Sequence, residues 1–490
     1  MPSKHKILVV CGLLIMLGCA KGFGHIYVKS AAIMGSEQWL QDEIIVKFKD
    51  TAAVARIDRI NKKHNAAVIK KSRFALFHRI KVPAGKTHRQ LINDYKSEPE
   101  VEYAELNYLA YAMFIPNDQY FKYQWNFYNS TNEGIRANLA WDITTGDPNV
   151  IIAVIDTGIA YENYRYRGKT YALAPELSDV HFVPGYDFVN DDNHPNDDDG
   201  HGTHVTGTLA QNTNNGVGTA GLAFNCSIMP VKVLDKKGSG AYADIADSIY
   251  FAVDNGAKVI NMSLGGSGDS ITLRNACQYA YNHDVTIVCA AGNEYQQGNT
   301  PSYPAAYDAY CIAVAAVRFD KTRAYYSNTG NYIDIAAPGG DINIDQDNDG
   351  VVDGIVQQTF DSTYTSWGYY LFEGTSMATP HVSAVAALLI SQGAHSPDEV
   401  RDALYTIATD MGSPGWDIQY GWGVLDAFAA LMYQRRNGDF NGSGSVDFSD
   451  LSILSSYWLQ NAPTFDIAPS GGDGIINFQD FALLAQNFLQ

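Results

Sequence analysis

Among 490 residues the chain has only six cysteines, and no two form a Cys-x-x-Cys pair. The redox and metal motifs built on that pair are therefore absent. Basic residues are also scarce: 34 Lys and Arg stand against 53 Asp and Glu, for a formal net charge of −19. Binding a phosphate backbone needs a basic face, so nucleic acid is excluded as a partner. The surplus acid serves solubility, or holds Ca²⁺ where it clusters. Beyond the N-terminus no apolar run reaches transmembrane length. What remains is the composition of a globular protein, 46% hydrophobic and 18% charged. Its length calls for two to four structural units.

Residues 1–20 read as an export signal. Lys4, His5 and Lys6 precede the apolar run Ile7 to Leu17, and Gly18-Cys19-Ala20 supplies small residues for cleavage. A lipid anchor on Cys19 is the alternative, with Met16 standing where that motif usually has Leu. Export permits disulfides. Cys226, Cys277, Cys289 and Cys311 could pair or stay as buried thiols, and the strand-like flanks of Cys289 and Cys311 keep both readings open.

Three regions follow. Residues 42–112 alternate strand, helix, strand, helix, strand, which makes a small open α/β domain. Residues 117–432 repeat short buried strands, glycine turns and helices. The runs Val150 to Ile155, Ala257 to Ser263 and Val285 to Ala291 lack polar alternation. Strands of a parallel sheet covered by helices on both faces have that character, so a doubly wound, mostly parallel α/β fold is expected. Residues 438–490 hold two similar loop-plus-helix units, an internal duplication expected to form a small α-helical module.

Three motifs carry chemistry. Val154-Ile-Asp-Thr-Gly158 places Asp156 at the C-terminal end of a buried strand, where catalytic groups of open α/β sheets gather. Asp199-Gly-His-Gly-Thr-His-Val-Thr-Gly207 sets His201 between glycines at the start of a helix. His204 lies one turn further on, but no Glu separates the two histidines as a His-Glu-x-x-His zinc motif requires. Gly374-Thr-Ser-Met-Ala-Thr-Pro-His381 puts Ser376 at a helix N-terminus, where the dipole and a main-chain N–H favour a developing oxyanion. The chain order Asp, His, Ser is that of subtilisin.

With these motifs intact, residues 117–432 resemble the subtilase family of serine endopeptidases. The resemblance implies that Ser376 attacks the scissile carbonyl, His201 moves the proton and Asp156 orients the imidazole. It makes Asn293, in Ala290-Ala-Gly-Asn-Glu294, an oxyanion donor. It assigns Ser263, Leu264 and Gly265 to the edge that pairs with the substrate backbone. It also sets Ser302 at the base of the primary specificity pocket. Protein or peptide substrates and a monomeric enzyme are implied. Residues 42–112 resemble the family's inhibitory propeptide, to be cut between Asn107 and Asn117.

The same resemblance implies structural Ca²⁺ at Asp187 and Asp192, and in the loop of Asn212 and Asn214. Asp345, Asp347 and Asp349 have EF-hand-like spacing without the twelfth-position Glu, where Val356 stands. The C-terminal repeats resemble a type I dockerin, with Asp439, Asn441, Ser443, Asp447 and Asp450 in the first loop. Asp473, Asn477 and Asp480 would serve in the second. A dockerin implies a cohesin-bearing partner. Two other readings stand beside the peptidase. A binding scaffold would tolerate loss of a triad member, and none is lost. An α/β-hydrolase esterase would need Gly-x-Ser-x-Gly and the order Ser, acid, His, and Ser376 has neither.

Overall fold

The computed structural model describes residues 39–434 except 76, 84, 109–113, 129 and 131–133, and beyond these only 451, 454, 455 and 481. The export segment and nearly all of both C-terminal repeats lie outside the described residues.

The first sheet contains β1 (Trp39–Phe48), β2 (Val68–Lys71), β3 (Phe77–Lys81) and β4 (Val101–Tyr108), in the order β2-β3-β1-β4. Its pairings are antiparallel. Helices α1 (Val54–Lys63) and α2 (His88–Lys96) connect the strands. Ile44, Val46, Phe48, Ile57, Leu91 and Tyr95 close the core between the layers. Thr87 caps α2 through a reciprocal pair with Gln90, which satisfies the first free N–H groups of the helix. The sequence pattern predicts three strands here, and the structure has four. The extra one, β2, is a four-residue edge strand with three exposed side chains, so it shows no alternation by which to recognise it.

The main body follows with α3 (Ala137–Ala140), β5 (Ile151–Asp156), β6 (Tyr164–Tyr166), β7 (Lys169–Tyr171), β8 (Tyr186–Asp187), α4 (His201–Ala210) and β9 (Ser227–Lys232). Then come α5 (Tyr242–Asp254), β10 (Val259–Met262), α6 (Ile271–Asn282), β11 (Thr286–Ala290), β12 (Cys311–Val317) and β13 (Ile335–Pro338). The hairpin β14 (Ile355–Thr359) and β15 (Gly368–Phe372) precedes α7 (Thr375–Ser391), α8 (Pro397–Thr406) and α9 (Ala427–Gln434). Seven strands form one sheet in the order β13-β12-β11-β10-β5-β9-β8, and every pairing in it is parallel. This is the doubly wound α/β architecture the apolar runs imply.

The runs are continuous because each strand feeds two cores. Ile152 and Val154 of β5 join the core that holds α7, while Ala153 and Ile155 join the one that holds α5 and α6. Helix α7 is buried nearly all round, as a helix apolar on every face must be. No helix among the described residues is long and apolar enough to cross a membrane. Cys226, Cys277, Cys289 and Cys311 are all buried free thiols, so the open choice between bridges and thiols closes on thiols.

Candidate active site

Asp156 ends β5 and is fully buried. Its Oδ1 accepts from the Thr157 N–H at 2.7 Å and lies 2.7 Å from His201 Nδ1. A carboxylate can only accept, so Nδ1 carries the imidazole proton and Nε2 is left as the basic nitrogen. His201 is the first residue of α4, and the glycines on each side explain how it gets there. Gly200, the N-cap, has φ 108°, which a side chain rarely tolerates. At Gly202 a Cβ would meet the Gly158 carbonyl oxygen at 2.2 Å. Only glycine lets the helix approach the Asp156 turn this closely. Burial opposes a charge on His201. The charge and hydrogen bond of Asp156, helped by Asp197 and Asp199, outweigh it and push the imidazole up to about 9.

His204 does not share a metal with His201. Its ring stacks on Phe372 at 4.2 Å, and Nε2 donates to the carbonyls of Ile355 and Tyr370, both at 3.1 Å. Burial pushes it down to about 3, so it is a neutral strut between α4 and the β14–β15 hairpin.

Ser376 is the second residue of α7. Its hydroxyl donates to the Ser263 carbonyl at 3.1 Å, and the Ser263 hydroxyl donates to the Ser376 carbonyl at 2.8 Å. Pro380 makes the exchange possible. It sits four residues after Ser376 inside α7 and has no N–H to return to that carbonyl. The Ser376 hydroxyl is thus not turned to His201 in this state; such catalytic hydrogen bonds often form only in the substrate complex. Ser263, Leu264 and Gly265 line a cleft of about 410 Å³ that also contains His201. Tyr242, Ile245 and Leu234 form its apolar side. Ser302 does not line this cleft. It packs beneath Gly265, where a Cβ would meet its Oγ at 2.1 Å.

Asn293 follows β11. Its Oδ1 accepts from the N–H and the hydroxyl of Thr375, at 2.9 and 3.0 Å. Both bonds engage the oxygen, so the amide orientation is set and Nδ2 is free to donate beside Ser376. Thr375 is a site residue that sequence reasoning missed. Its neighbour Ser376 drew the reading, and nothing local shows that the Thr375 side chain reaches across 82 positions.

The acidic loops fare unevenly. Asp187 and Asp192 are joined through their backbones, but Asp187 gives both oxygens to its own loop, to Val189 N, Asn190 N and Asn190 Nδ2. Asp192 Oδ1 accepts from His194 N. The Asn212 and Asn214 side chains are not brought onto one another. Asn212 Oδ1 accepts from Asp179 N, and Asn214 Oδ1 from Asn117 N. Two carboxylates without a sequence signal converge on this loop instead. Asp118 accepts from Asn214 N and Asn215 N, and Glu176 from Gln211 Nε2 and Asn215 Nδ2. Burial raises both, Glu176 to about 7 with help from the Asp118 charge.

In the loop before β14, ligand oxygens of Asp345, Asp347 and Asp353 lie within 4.8 Å of one another. Asp353, which the spacing did not name, joins this group, whereas the expected Asp349 is not in it and its Oδ1 accepts from Val351 N. Asp345 Oδ1 is buried without a partner, an open acceptor of the kind a hard cation takes. Burial pushes Asp353 up to about 6. The ligands expected at Asp439, Asn441, Ser443, Asp447, Asp450, Asp473, Asn477 and Asp480 lie outside the described residues.

A parallel sheet with Asp, His and Ser at its C-terminal edge defines a serine endopeptidase of the subtilisin type. The chain belongs to the subtilase family: the model of that family matches residues 147–423, and that of the fervidolysin N-terminal prodomain matches residues 28–107. The thermophilic serine proteinase of Bacillus sp. (strain AK1) is 38% identical over 401 residues, covering 81% of this chain and 88% of that protein. Thermitase of Thermoactinomyces vulgaris is 38% identical over 321 residues, 65% of this chain and all of its own length. A solved protease structure from Pseudoalteromonas arctica superposes with a TM-score of 0.54 at 35% identity, covering 65% of this chain and 99% of that one.

Proposed function

We propose that this subtilase is an exported endopeptidase in which Asp156, His201 and Ser376 form the triad, and that it frees itself from its prodomain by self-cleavage. The observation that carries this is the 2.7 Å contact of His201 Nδ1 with the buried Asp156, beside a cleft shared with Ser263, the hydrogen-bond partner of Ser376. On substrate binding, Ser376 Oγ gives its proton to His201 Nε2 and attacks the carbonyl. The tetrahedral oxyanion is met by Asn293 Nδ2 and the Ser376 N–H. His201 then returns the proton to the leaving amine. Water repeats the sequence on the acyl-enzyme. An extended substrate lies along Ser263, Leu264 and Gly265, with Ser302 beneath. Protein and peptide chains are the substrates, and residues 42–112 are the inhibitor before cleavage.

Intact mass of the secreted wild type beside Ser376→Ala tests this reading. Only the wild type should lose the mass up to the 107–117 window; equal trimming of both would defeat self-processing. Asn293→Ala is expected to lower kcat by about 10²- to 10³-fold at nearly constant KM, the loss seen for a subtilisin oxyanion donor. An unchanged kcat on a peptide anilide would remove Asn293 from the site.

Structural Ca²⁺ belongs to the same proposal. Asp345, Asp347 and Asp353 would hold one ion, with Asp345 Oδ1 as its unfilled acceptor. Asp118 and Glu176, with Asn212 and Asn214 in the neighbouring loop, would serve a second. A bound ion would neutralise these buried carboxylates. Chelation should therefore lower the Tm of the processed enzyme by several degrees, and Ca²⁺ should restore it. Asp345→Asn should reduce that difference. A Tm indifferent to chelator would refute both sites. Residues 438–490 are read as a dockerin-like module for a cohesin, on the loop spacing of Asp439, Asn441, Ser443, Asp447 and Asp450.

A further inference from the structure

The loop entering α4 holds a carboxylate that the triad chemistry does not use. Asp197 is 1% exposed. Its Oδ1 accepts from Asp199 N at 3.0 Å, Gly200 N at 2.9 Å and Thr157 Oγ1 at 2.8 Å. Its Oδ2 accepts from Thr203 N at 3.0 Å and Thr203 Oγ1 at 2.6 Å. The two hydroxyl protons can be assigned. Thr157 Oγ1 itself accepts from Gly202 N at 2.9 Å, and Thr203 Oγ1 from Ala160 N at 3.1 Å. Each hydroxyl therefore directs its own proton at Asp197. Burial raises the Asp197 carboxyl above its usual range, against the pull of its donors. Five donors and no acceptor face it, so the ionised form is the one the geometry fits.

These donors come from two elements. Two are main-chain N–H groups of the turn entering α4, Asp199 and Gly200, and a third is the Thr203 N–H in its first turn, where the free amides and the dipole favour an anion. The Thr203 hydroxyl adds a fourth from the same helix. The fifth is Thr157, the residue after Asp156, whose own N–H is bonded to Asp156 Oδ1. Thr157 is also held from below. Its carbonyl accepts from the buried ammonium of Lys232, and Lys232 is the register partner of Asp156 across β5 and β9. A carboxylate that only capped α4 would have no use for Thr157, 40 positions away in sequence.

We propose that Asp197 is a positioning residue for peptide hydrolysis: through Thr157 it ties the turn after Asp156 to the N-terminus of α4, and so sets the Asp156–His201 alignment. The inference rests on the triad reading above. Charge-assisted hydrogen bonds to buried donors hold geometry tightly, and a displacement of about 1 Å at a catalytic pair costs on the order of 10²-fold. The groups that act on the His201 charge are Asp156, Asp197 and Asp199, which favour it, and His204, with which it interacts unfavourably.

Steady-state kinetics on the processed, Ca²⁺-loaded enzyme test the proposal with Asp197→Asn, Thr157→Val and Thr157→Ser. Asp197→Asn should lower kcat by about 10- to 100-fold with KM changed by less than about twofold. It should also move the acid limb of kcat/KM to lower pH, because one of three anions near His201 is lost. Thr157→Val leaves the amide bonds of Asp197 to α4 in place but cuts the link, together with the bond that the same hydroxyl accepts from Gly202 N, and should cost about tenfold in kcat. Thr157→Ser should recover most of that loss. If Asp197→Asn lowers only Tm while kcat and the acid limb stay put, Asp197 is a helix cap and the proposal is overturned. Should Asp197→Asn fail to accumulate, the Val and Ser variants decide alone: equal kcat for the two overturns the link. His201→Ala run in the same assay separates the premises, since activity surviving there sinks the triad and this inference with it.

Discussion

Replacing His201 by Ala is expected to lower kcat by about 10⁶-fold, the scale of loss that removing the serine or histidine brings in subtilisin. Of the titratable groups that line the cleft among the described residues, His201, Asp199 and Tyr242, the imidazole is the one proposed as the base. Nδ1 is committed to Asp156, so Nε2 alone can take the Ser376 proton. Without it the serine attacks as a neutral hydroxyl. Single-turnover rates on a peptide anilide would read the loss, and a fall below about tenfold would show that another group serves as base. The same residue fixes the pH dependence. His201 works only when neutral, and its pKa is pushed up to about 9, so kcat/KM should keep rising with pH well above 6.5. An acid limb at or below 6.5 would contradict this. The sign for stability is opposite. A folded pKa above the unfolded value means the imidazolium stabilises the fold. That contribution is fully present below about 6.5 and is lost as pH rises through about 9. Wild-type Tm should therefore fall relative to His201→Ala across that window.

Asp156→Asn should cost about 10⁴-fold in kcat, or about 5.5 kcal/mol, with KM little changed. The geometry gives the reason. Thr157 N and His201 Nδ1 both contact Oδ1. An amide oxygen in that position keeps both bonds, and Nδ2 takes the place of Oδ2, so the imidazole keeps its proton on Nδ1. What is lost is the carboxylate charge that favours the imidazolium formed when Ser376 gives up its proton. That charge matters as the proton moves, so substrate binding is spared. A loss in kcat below about tenfold would say instead that the charge of Asp156 is dispensable.

Much of this site was legible in the sequence because its signals are local. Asp156, His201 and Ser376 each stand where a buried strand ends or a helix begins, and the glycines beside His201 announce a close approach. The buried strands announced themselves through unbroken apolar runs, which two-sided burial imposes. The four-residue edge strand β2 and the β14–β15 hairpin escaped notice. A short edge strand buries little, and the hairpin is defined by its register, Ile355 against Phe372, which no single segment encodes.

The amino-acid sequence by itself determined the class of fold, the family, the residues proposed to react and a formal net charge of −19. All but the charge depend on residue types within a few positions of one another. Only the tertiary structure decided how distant segments meet. It turned Asn293 through Thr375, let Ser263 and Ser376 exchange hydrogen bonds because Pro380 leaves a carbonyl free, and brought Asp353 beside Asp345 and Asp347. It also kept four thiols apart from disulfides and placed Asp197 between two catalytic elements. Spacing along a chain says which groups can share a turn or a helix face. Which groups share a buried contact across 40 or 113 positions is settled by the packing of the sheet and its helices.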